Sequence, residues 1–374
     1  MRHASRCAKA WSLRFAGASR TASTSRRTIV SQSALITGGS GYFGCLLRDR
    51  LLEQGWSVRV FDLLDADDRP QAVAFVPGDI RDAGAIRAAC EGTDVVFHNV
   101  AQVPLAKDRD LFWSVNLDGT ENLLAAVHGA GVRKLVHTSS SAIFGIPARN
   151  PVDETLEPVP GEAYGAAKLA AEQRVRCYAN EHGIDAAILR PRTILGHGRL
   201  GIFQILFDWV ERGWNIPVLG RGDNIYQFVH ADDLADACIR AAARTGFRVY
   251  NVGAARFGSM RETLEALCRH AGTGSRVRSV PMTPAVWAMR ATSALGLSPL
   301  GPYHALMYGR SLYFDITRAT TELAWKPVWS NEDMMCQSYD WYRGHRDEIQ
   351  RGTGSSPHRS AVEQRILSLV GRFL

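Results

Sequence analysis

In EAYGAAKLAAE, residues 162–172, Tyr164 and Lys168 stand four positions apart. At that spacing both side chains share one face of a helix. The chain uses lysine sparingly, for only five of its 44 basic residues, so a lysine here is a chosen one. A phenol with an ordinary pKa of about 10 moves protons poorly at neutral pH. An ammonium beside it favours phenolate and is expected to bring the tyrosine toward the working range. A compact ammonium can also bond a ribose hydroxyl, where a planar guanidinium fits badly. Just upstream, HTSSSAIFG (137–145) puts a run of serines at the end of a predicted strand. A hydroxyl there can hold a substrate oxygen while Tyr164 exchanges its proton. Serines at strand ends also form turns, so the run alone singles none out.

The second stretch with chemistry is TGGSGYFG, residues 37–44, with Gly38, Gly41 and Gly44 in a G-x-x-G-x-x-G pattern. Glycine allows a tight turn and lets the backbone touch a diphosphate. The helix that follows, opening at Tyr42 and Phe43, offers its first N–H groups and its dipole to that anion. A strand before and a helix after make this a dinucleotide loop rather than a plain turn. The second strand ends at Asp62, whose carboxylate can accept from ribose hydroxyls and repel a 2′-phosphate. NAD is therefore the expected cofactor, with Arg59 facing elsewhere as a poor anchor for NADP. Surrounding these residues, SALIT (33–37), SVRVFD (57–62), AVAFV (72–76), DVVFHN (94–99), RKLVHTS (133–139) and DAAILR (185–190) read as strands. Amphipathic stretches at 42–54, 84–91, 111–130 and 162–182 read as the helices between them. Repeated βα units with continuous apolar strands predict an α/β fold, a doubly wound parallel sheet covered on both faces.

Together, TGGSGYFG, Asp62, GDIRD (78–82), HTSSSAIFG and the Tyr164–Lys168 pair resemble the extended short-chain dehydrogenase/reductases, the NAD-dependent epimerase/dehydratase family. QFVHADDLADA (227–237) and FDITRATTELAWKP (314–327) look like that family's later motifs, so the likeness runs over roughly residues 33–330. It implies a Rossmann-type domain and a catalytic Ser140, Tyr164 and Lys168, with Ser140 chosen by counting back five from Gly145. It further implies that Asp79 and Ile80 line the adenine, Ala101 lies near the cofactor and Asn116 braces the active-site helix. A homodimer through 111–130 and 162–182 is implied in the same way.

The departures from the pattern narrow the chemistry. Dehydratases of the family follow the catalytic serine or threonine with Asp-Glu, whereas Ser141-Ala142 stands here, so dehydration is not expected. Sugar-nucleotide enzymes usually hold the diphosphate with an Asn and an Arg, at places taken here by Thr193 and Tyr226. Arg192, Arg199 and Arg310 are the basic residues available in their stead. Ser141, Arg192, Thr193, Tyr226 and Arg310 are thus the candidate substrate residues. Trp113, Phe144, GIFQILFDWV (201–210) and PAVWAMRATSALGL (284–297) could line a lipophilic pocket, as in the 3β-hydroxysteroid branch, though most of them are expected to be core. The function expected is a dehydrogenase or reductase acting on a lipid-like or other non-nucleotide secondary alcohol. A sugar or nucleotide-sugar epimerase is the alternative, and an NAD-reading sensor without turnover a third.

Composition bounds the rest. A 46% hydrophobic, 22% charged chain of 374 residues is an ordinary globular protein with a sizeable core. Its net charge of +7 lies in residues 1–32, with seven basic residues and no acid, leaving 37 basic against 37 acidic residues in the body. A neutral body argues against a nucleic-acid partner. Domain boundaries are expected at 1–32 (a disordered or targeting leader), 33–195 (the NAD-binding domain), 196–350 (a smaller substrate-binding region interleaved with the sheet, with helices at 202–213, 259–271 and 282–296) and 351–374 (a linker and amphipathic tail). The leader's Arg, Ser and Ala content matches a mitochondrial transit peptide, yet an Arg-rich sequence yields such strings by accident. A cytoplasmic protein is expected, or a matrix protein if the leader is a true signal. In the tail, Val362, Ile366, Leu369, Val370 and Phe373 share a face expected to dock on protein rather than on a membrane surface. Seven scattered cysteines read as reduced, buried thiols, and no metal site is expected.

Overall fold

Strands that are apolar on both faces need cover on both sides. The computed structural model describes residues 32–102, 109–287 and 307–350, and in it the apolar runs line up as one parallel sheet. Its first six strands are β1 (Ser33–Thr37), β2 (Ser57–Asp62), β3 (Ala74–Pro77), β4 (Val95–His98), β5 (Lys134–Thr138) and β6 (Ala186–Pro191). Further along come β7 (Thr193–Leu195), β8 (Ile216–Leu219), β9 (Ile225–Tyr226), β10 (Phe228–His230), β11 (Arg248–Val252), β12 (Gly258–Ser259) and β13 (Val277–Val280). The large sheet has seven strands in the order β11-β6-β5-β4-β1-β2-β3. Strand order reverses at β1, which opens a crevice beyond the carboxyl ends of β1 and β4.

The helices include α1 (Tyr42–Glu53), α2 (Ala83–Cys90), α3 (Gly119–Gly129), α4 (Ala163–His182), α5 (Ile202–Glu211), α6 (Ala231–Ala243), α7 (Met260–Ala271), α8 (Thr317–Glu322) and α9 (Asn331–Gly344). Neighbouring strand residues point to opposite faces, so β1 sends Ile36 to one core and Leu35 to the other. Ile36 packs with Leu47 and Leu51 of α1, Leu234 of α6 and Trp325. Leu35 packs with Ile86 of α2, Leu123 and Val127 of α3 and Val175 of α4. Each such fully buried side chain contributes roughly 1.5–3 kcal/mol of transfer free energy. A third core joins Phe203 and Phe207 of α5 to Leu264 of α7 and Met334 and Tyr339 of α9, beside the short pairs β8–β13 and β7–β10. Within the 196–350 region, α6 and β11 belong to the large sheet and its cover, so chain order and spatial order part there.

Several expectations need correction. The stretch 111–130 is not one helix: a short helix at Arg109–Trp113 runs into a π-helical turn, Ser114–Asp118, before α3. The turn carries Asn116 inward, where its amide donates to the Gln102 carbonyl at 3.2 Å and accepts from the Gln102 N–H at 2.8 Å. Such one-turn widenings recur where a side chain must be re-aimed. The third strand begins at Ala74, because Val73 closes a turn on the Pro70 carbonyl. Of the cysteines, Cys45, Cys90, Cys238 and Cys268 are buried as expected, but Cys177 is exposed and Cys336 only half-buried. The expected leader falls almost wholly outside the described residues. So do the tail at 351–374 and the larger part of 284–297, although 282–287 are helical.

Candidate active site

The phosphate loop sits at the sheet's reversal point. Gly38 has φ +71, and a Cβ there would lie 2.8 Å from the Val100 N. A Cβ on Gly44 would lie 2.1 Å from the Gly38 carbonyl oxygen, so glycine alone lets α1 press against the end of β1. Gly41, in ordinary extended backbone, is the N-cap from which α1 starts, with no side chain bonded across its end. A narrow backbone cradle facing an uncapped helix end fits the diphosphate of a dinucleotide. Tyr42 and Phe43 open the helix with buried side chains, so only their backbone can serve that anion.

Asp62 ends β2 beside the glycine loop. Its carboxylate accepts from the Ser40 N–H at 3.0 Å and the Leu63 N–H at 2.7 Å, leaving further lone pairs for hydroxyl donors. Burial raises its pKa against the pull of those backbone donors. Arg59 donates to the Ala89 and Glu91 carbonyls at 2.7 and 2.9 Å, turned toward the end of α2. In GDIRD, the Asp79 carboxylate is engaged by Arg81, which holds its pKa down. Ile80 is buried against Gly119, where a Cβ would come within 2.5 Å of it. Ala101 is partly buried beside Gln102, the residue that Asn116 clamps from both sides.

The serine run resolves into three separate tasks. Ser139 donates to Glu172 at 2.9 Å. Ser140 caps the Ala142 N–H at 3.1 Å and hydrogen-bonds Tyr164. Ser141 accepts from the Arg192 Nη1 at 2.8 Å. Ser140 and Tyr164 meet because α4 lies hard against the 3₁₀ turn Ser141–Phe144: a Cβ on Gly165 would sit 2.4 Å from the Ala142 carbonyl oxygen. The start of α4 is capped by Glu162, whose carboxylate accepts from the Tyr164 and Gly165 N–H groups at 2.8 and 2.6 Å. Phe112 closes on the Tyr164 ring edge-to-face, centroids 6.0 Å apart.

The electrostatics differ from the expected tuning. Burial pushes the Tyr164 phenol up to about 12; Ser140 and the Arg199 guanidinium pull it down, while Glu162 pushes with burial. The Lys168 ammonium instead donates to the Thr138 carbonyl at 2.7 Å. Burial brings that ammonium down to about 8, opposed by Glu172 one helical turn on. Desolvation outweighs charge proximity because both groups lie inside the protein.

The candidate substrate residues mostly converge. Thr193 Oγ1 and Tyr226 Oη share a 2.8 Å hydrogen bond. The buried Arg192 guanidinium lies 4.7 Å above the Tyr226 ring and 5.7 Å from the Phe314 ring. Arg310 stands exposed; its backbone N–H donates to the Met307 carbonyl at 3.1 Å and its carbonyl accepts from Asn224 at 3.4 Å. Of the apolar candidates, Phe144, Phe203, Phe207 and Trp209 are core, and Trp113 is exposed. One trio, His197, His230 and Asp232, gathers its ligand atoms within 4.8 Å. Both ring nitrogens of His230 are already engaged, by the Asp232 N–H and by Gln337, which leaves that ring no free lone pair for a metal.

The model of the NAD dependent epimerase/dehydratase family matches residues 34–253, the span that holds every one of these features up to β11. The chain belongs to that family. It is an NAD-dependent enzyme of the extended short-chain dehydrogenase/reductase type. "Uncharacterized protein y4nG" of Sinorhizobium fredii is 54% identical over 341 residues, 91% of this chain and 86% of that protein. A 3 beta-hydroxysteroid dehydrogenase/Delta 5-->4-isomerase of Mycobacterium tuberculosis is 31% identical over 342 residues, 82% of this chain and 90% of its own. The solved UDP-glucose 4-epimerase of Thermus thermophilus, in complex with NAD, superimposes with a TM-score of 0.70 at 26% identity, covering 84% of this chain and 99% of that one. No described helix is long and apolar enough to cross a membrane.

Three residues around Ser140, Tyr164 and Lys168 were not singled out by the sequence. Glu162 and Glu172 flank Tyr164 and Lys168 in EAYGAAKLAAE, and the four-residue step from Lys168 to Glu172 was a legible signal. Arg190 closes the buried bidentate pair with Glu172 across from α4; nothing local announces that contact.

Proposed function

We propose that this enzyme interconverts a secondary alcohol and its ketone on a lipid-like, non-nucleotide substrate. The observation that carries this reading is the Thr193–Tyr226 hydrogen bond at 2.8 Å. In family members that grip a sugar diphosphate, the matching places carry Asn and Arg. Here the two side chains satisfy each other, and the nearby cation, Arg192, is stacked on Tyr226 and held by Ser141. The 31% identity to a hydroxysteroid dehydrogenase supports the same direction.

NAD, when bound, would supply the hydride acceptor or donor for the carbinol carbon. Ser140 donates to the substrate oxygen and fixes its distance from the phenol. Tyr164 gives its proton to the ketone oxygen in reduction and takes the hydroxyl proton in oxidation. A phenol held near 12 rests protonated, the form that reduction uses. Oxidation needs nearby positive charge to bring it down. Lys168 holds the ribose, and the cradle of Gly38, Gly41 and Gly44 the diphosphate.

Nicotinamide released on denaturing the purified protein separates this from the alternative. An exchanging dehydrogenase comes away largely empty and reduces added NAD in the presence of hydrophobic secondary alcohols. Stoichiometric tightly held NAD, with turnover of UDP-glucose, would replace the reading with a sugar-nucleotide epimerase. That second reading has support in the near-complete superposition on a UDP-glucose 4-epimerase.

A further inference from the structure

Arg199 is a half-buried cation for which the described residues supply no anion. Its Nε and Nη1 are shut from solvent and have no hydrogen-bond partner. Its guanidinium lies 5.5 Å from the centroid of the Tyr42 ring. The groups that act on it electrostatically are two tyrosines, Tyr42 and the catalytic Tyr164, and burial brings it down to about 10. Two guanidinium nitrogens shut from water without a hydrogen-bond partner are costly, and such arrangements persist chiefly where a ligand completes them.

The local backbone is built to hold it there. Gly196, Gly198 and Gly201 have φ of +138, +78 and +69, and the Arg199 N–H closes a turn on the Gly196 carbonyl at 3.2 Å. A Cβ on Gly196 would lie 3.1 Å from Tyr42 Oη, and one on Gly198 3.7 Å from the Tyr42 ring. The loop therefore packs onto the residue that opens α1. This sets Arg199 against the Tyr42 ring and within electrostatic reach of Tyr164.

We propose that Arg199 receives a carboxylate carried by the substrate close to its carbinol carbon, so that the enzyme acts on hydroxy acids. This rests on the reading of Tyr164 as the acid/base and specifies the substrate of the same site. A planar guanidinium matches a carboxylate in shape and charge, and a neutral alcohol would leave it unpaired. The carboxylate is a handle and does not react. The carbinol carbon gives hydride to NAD, its hydroxyl proton leaves through Tyr164 to solvent, and a keto acid is formed.

The test uses protein loaded with NADH, which binds a hydroxy acid without turnover. Calorimetric titration with 3-hydroxyoctanoate and with its methyl ester compares the charged and neutral forms of one skeleton. The acid should bind about tenfold or more tighter than the ester, the size of a charge-assisted hydrogen bond. Arg199→Met should bring that ratio to near unity, and Arg199→Lys should restore part of it. Arg199→Gln serves as the second neutral variant if Arg199→Met does not fold. An acid-to-ester ratio near unity in the wild type, or one unchanged by loss of the arginine, overturns the proposal. UDP is the third probe: if its affinity, and not that of the acid, depends on Arg199, the cation serves a nucleotide diphosphate. If NADH affinity falls while the ratio holds, the cation serves the cofactor. Either result overturns the proposal. Absence of NAD reduction with acid selection intact would strike at the dehydrogenase reading alone.

Discussion

The Lys168 ammonium donates to the backbone carbonyl of Thr138 at 2.7 Å, tying the helix that carries the tyrosine to the end of β5. The ammonium is out of water, and burial brings it down to about 8 from its ordinary 10.5. The unfolded chain therefore keeps this proton to higher pH than the folded one. Where the unfolded state binds more protons, stability rises with pH. Cofactor-free wild type should accordingly gain on Lys168→Met between pH 8 and 10, by about 2–3 kcal/mol in all. Tyr164, whose pKa is raised, works in the opposite sense only above its ordinary value of 10. Denaturant unfolding of both proteins across that window checks this; a constant gap would show that the lysine is not desolvated.

Tyr164→Phe keeps the ring against Phe112 and removes only the proton carrier. Turnover should fall by about 10²–10⁴-fold, with NAD affinity falling far less. Steady-state rates and NAD titration together decide it. Unchanged behaviour would favour a protein that reads NAD without chemistry.

Asp62 accepts from two backbone N–H groups and would face a 2′-phosphate with like charge. Asp62→Ala should raise NADP affinity relative to NAD by about tenfold, the worth of one lost charge repulsion near the surface. Paired titrations with the two cofactors measure the ratio. Tighter NADP binding by the wild type would remove the role given to Asp62.

Arg190 and Glu172 form a bidentate pair in which both side chains are 3% exposed. Arg190→Met strands a buried carboxylate, and the protein should lose about 3–5 kcal/mol. The double variant Arg190→Met, Glu172→Leu should recover much of that. Strictly additive losses in urea unfolding would mean that the two side chains are not coupled.

Gly44→Ala asks a methyl to share space with the Gly38 carbonyl oxygen 2.1 Å away. NAD binding should be lost, or the protein destabilised by several kcal/mol, about the cost of overpacking a fixed backbone. Wild-type affinity and melting temperature in this variant would show that the cradle is looser than the structure has it.

Much of the site was legible because its residues sit at spacings that local geometry converts directly into position. Tyr164 and Lys168 share a helix face, the glycines precede α1, and Asp62 ends the strand beside β1. Six strands came out within a few residues of their predicted bounds for the same reason. Where a bound moved, a tertiary contact moved it: Asn116 reaches back to Gln102 and widens the helix into a π turn.

By itself, the sequence determined the parallel sheet, the glycine loop before α1 and the helix face that Tyr164 and Lys168 share, since periodicity and fixed offsets specify all three; its motifs carried the likeness to the family. Only the tertiary structure decided which serine serves which partner, that Thr193 and Tyr226 bond each other, and that Arg199 lies against the Tyr42 ring and acts electrostatically on Tyr164. It also decided the direction of the tyrosine's pKa. Proximity in sequence pointed to Lys168 as the tuning charge. Burial and the placement of charges from distant segments set the outcome, because desolvation and Coulomb energy depend on where atoms lie in space.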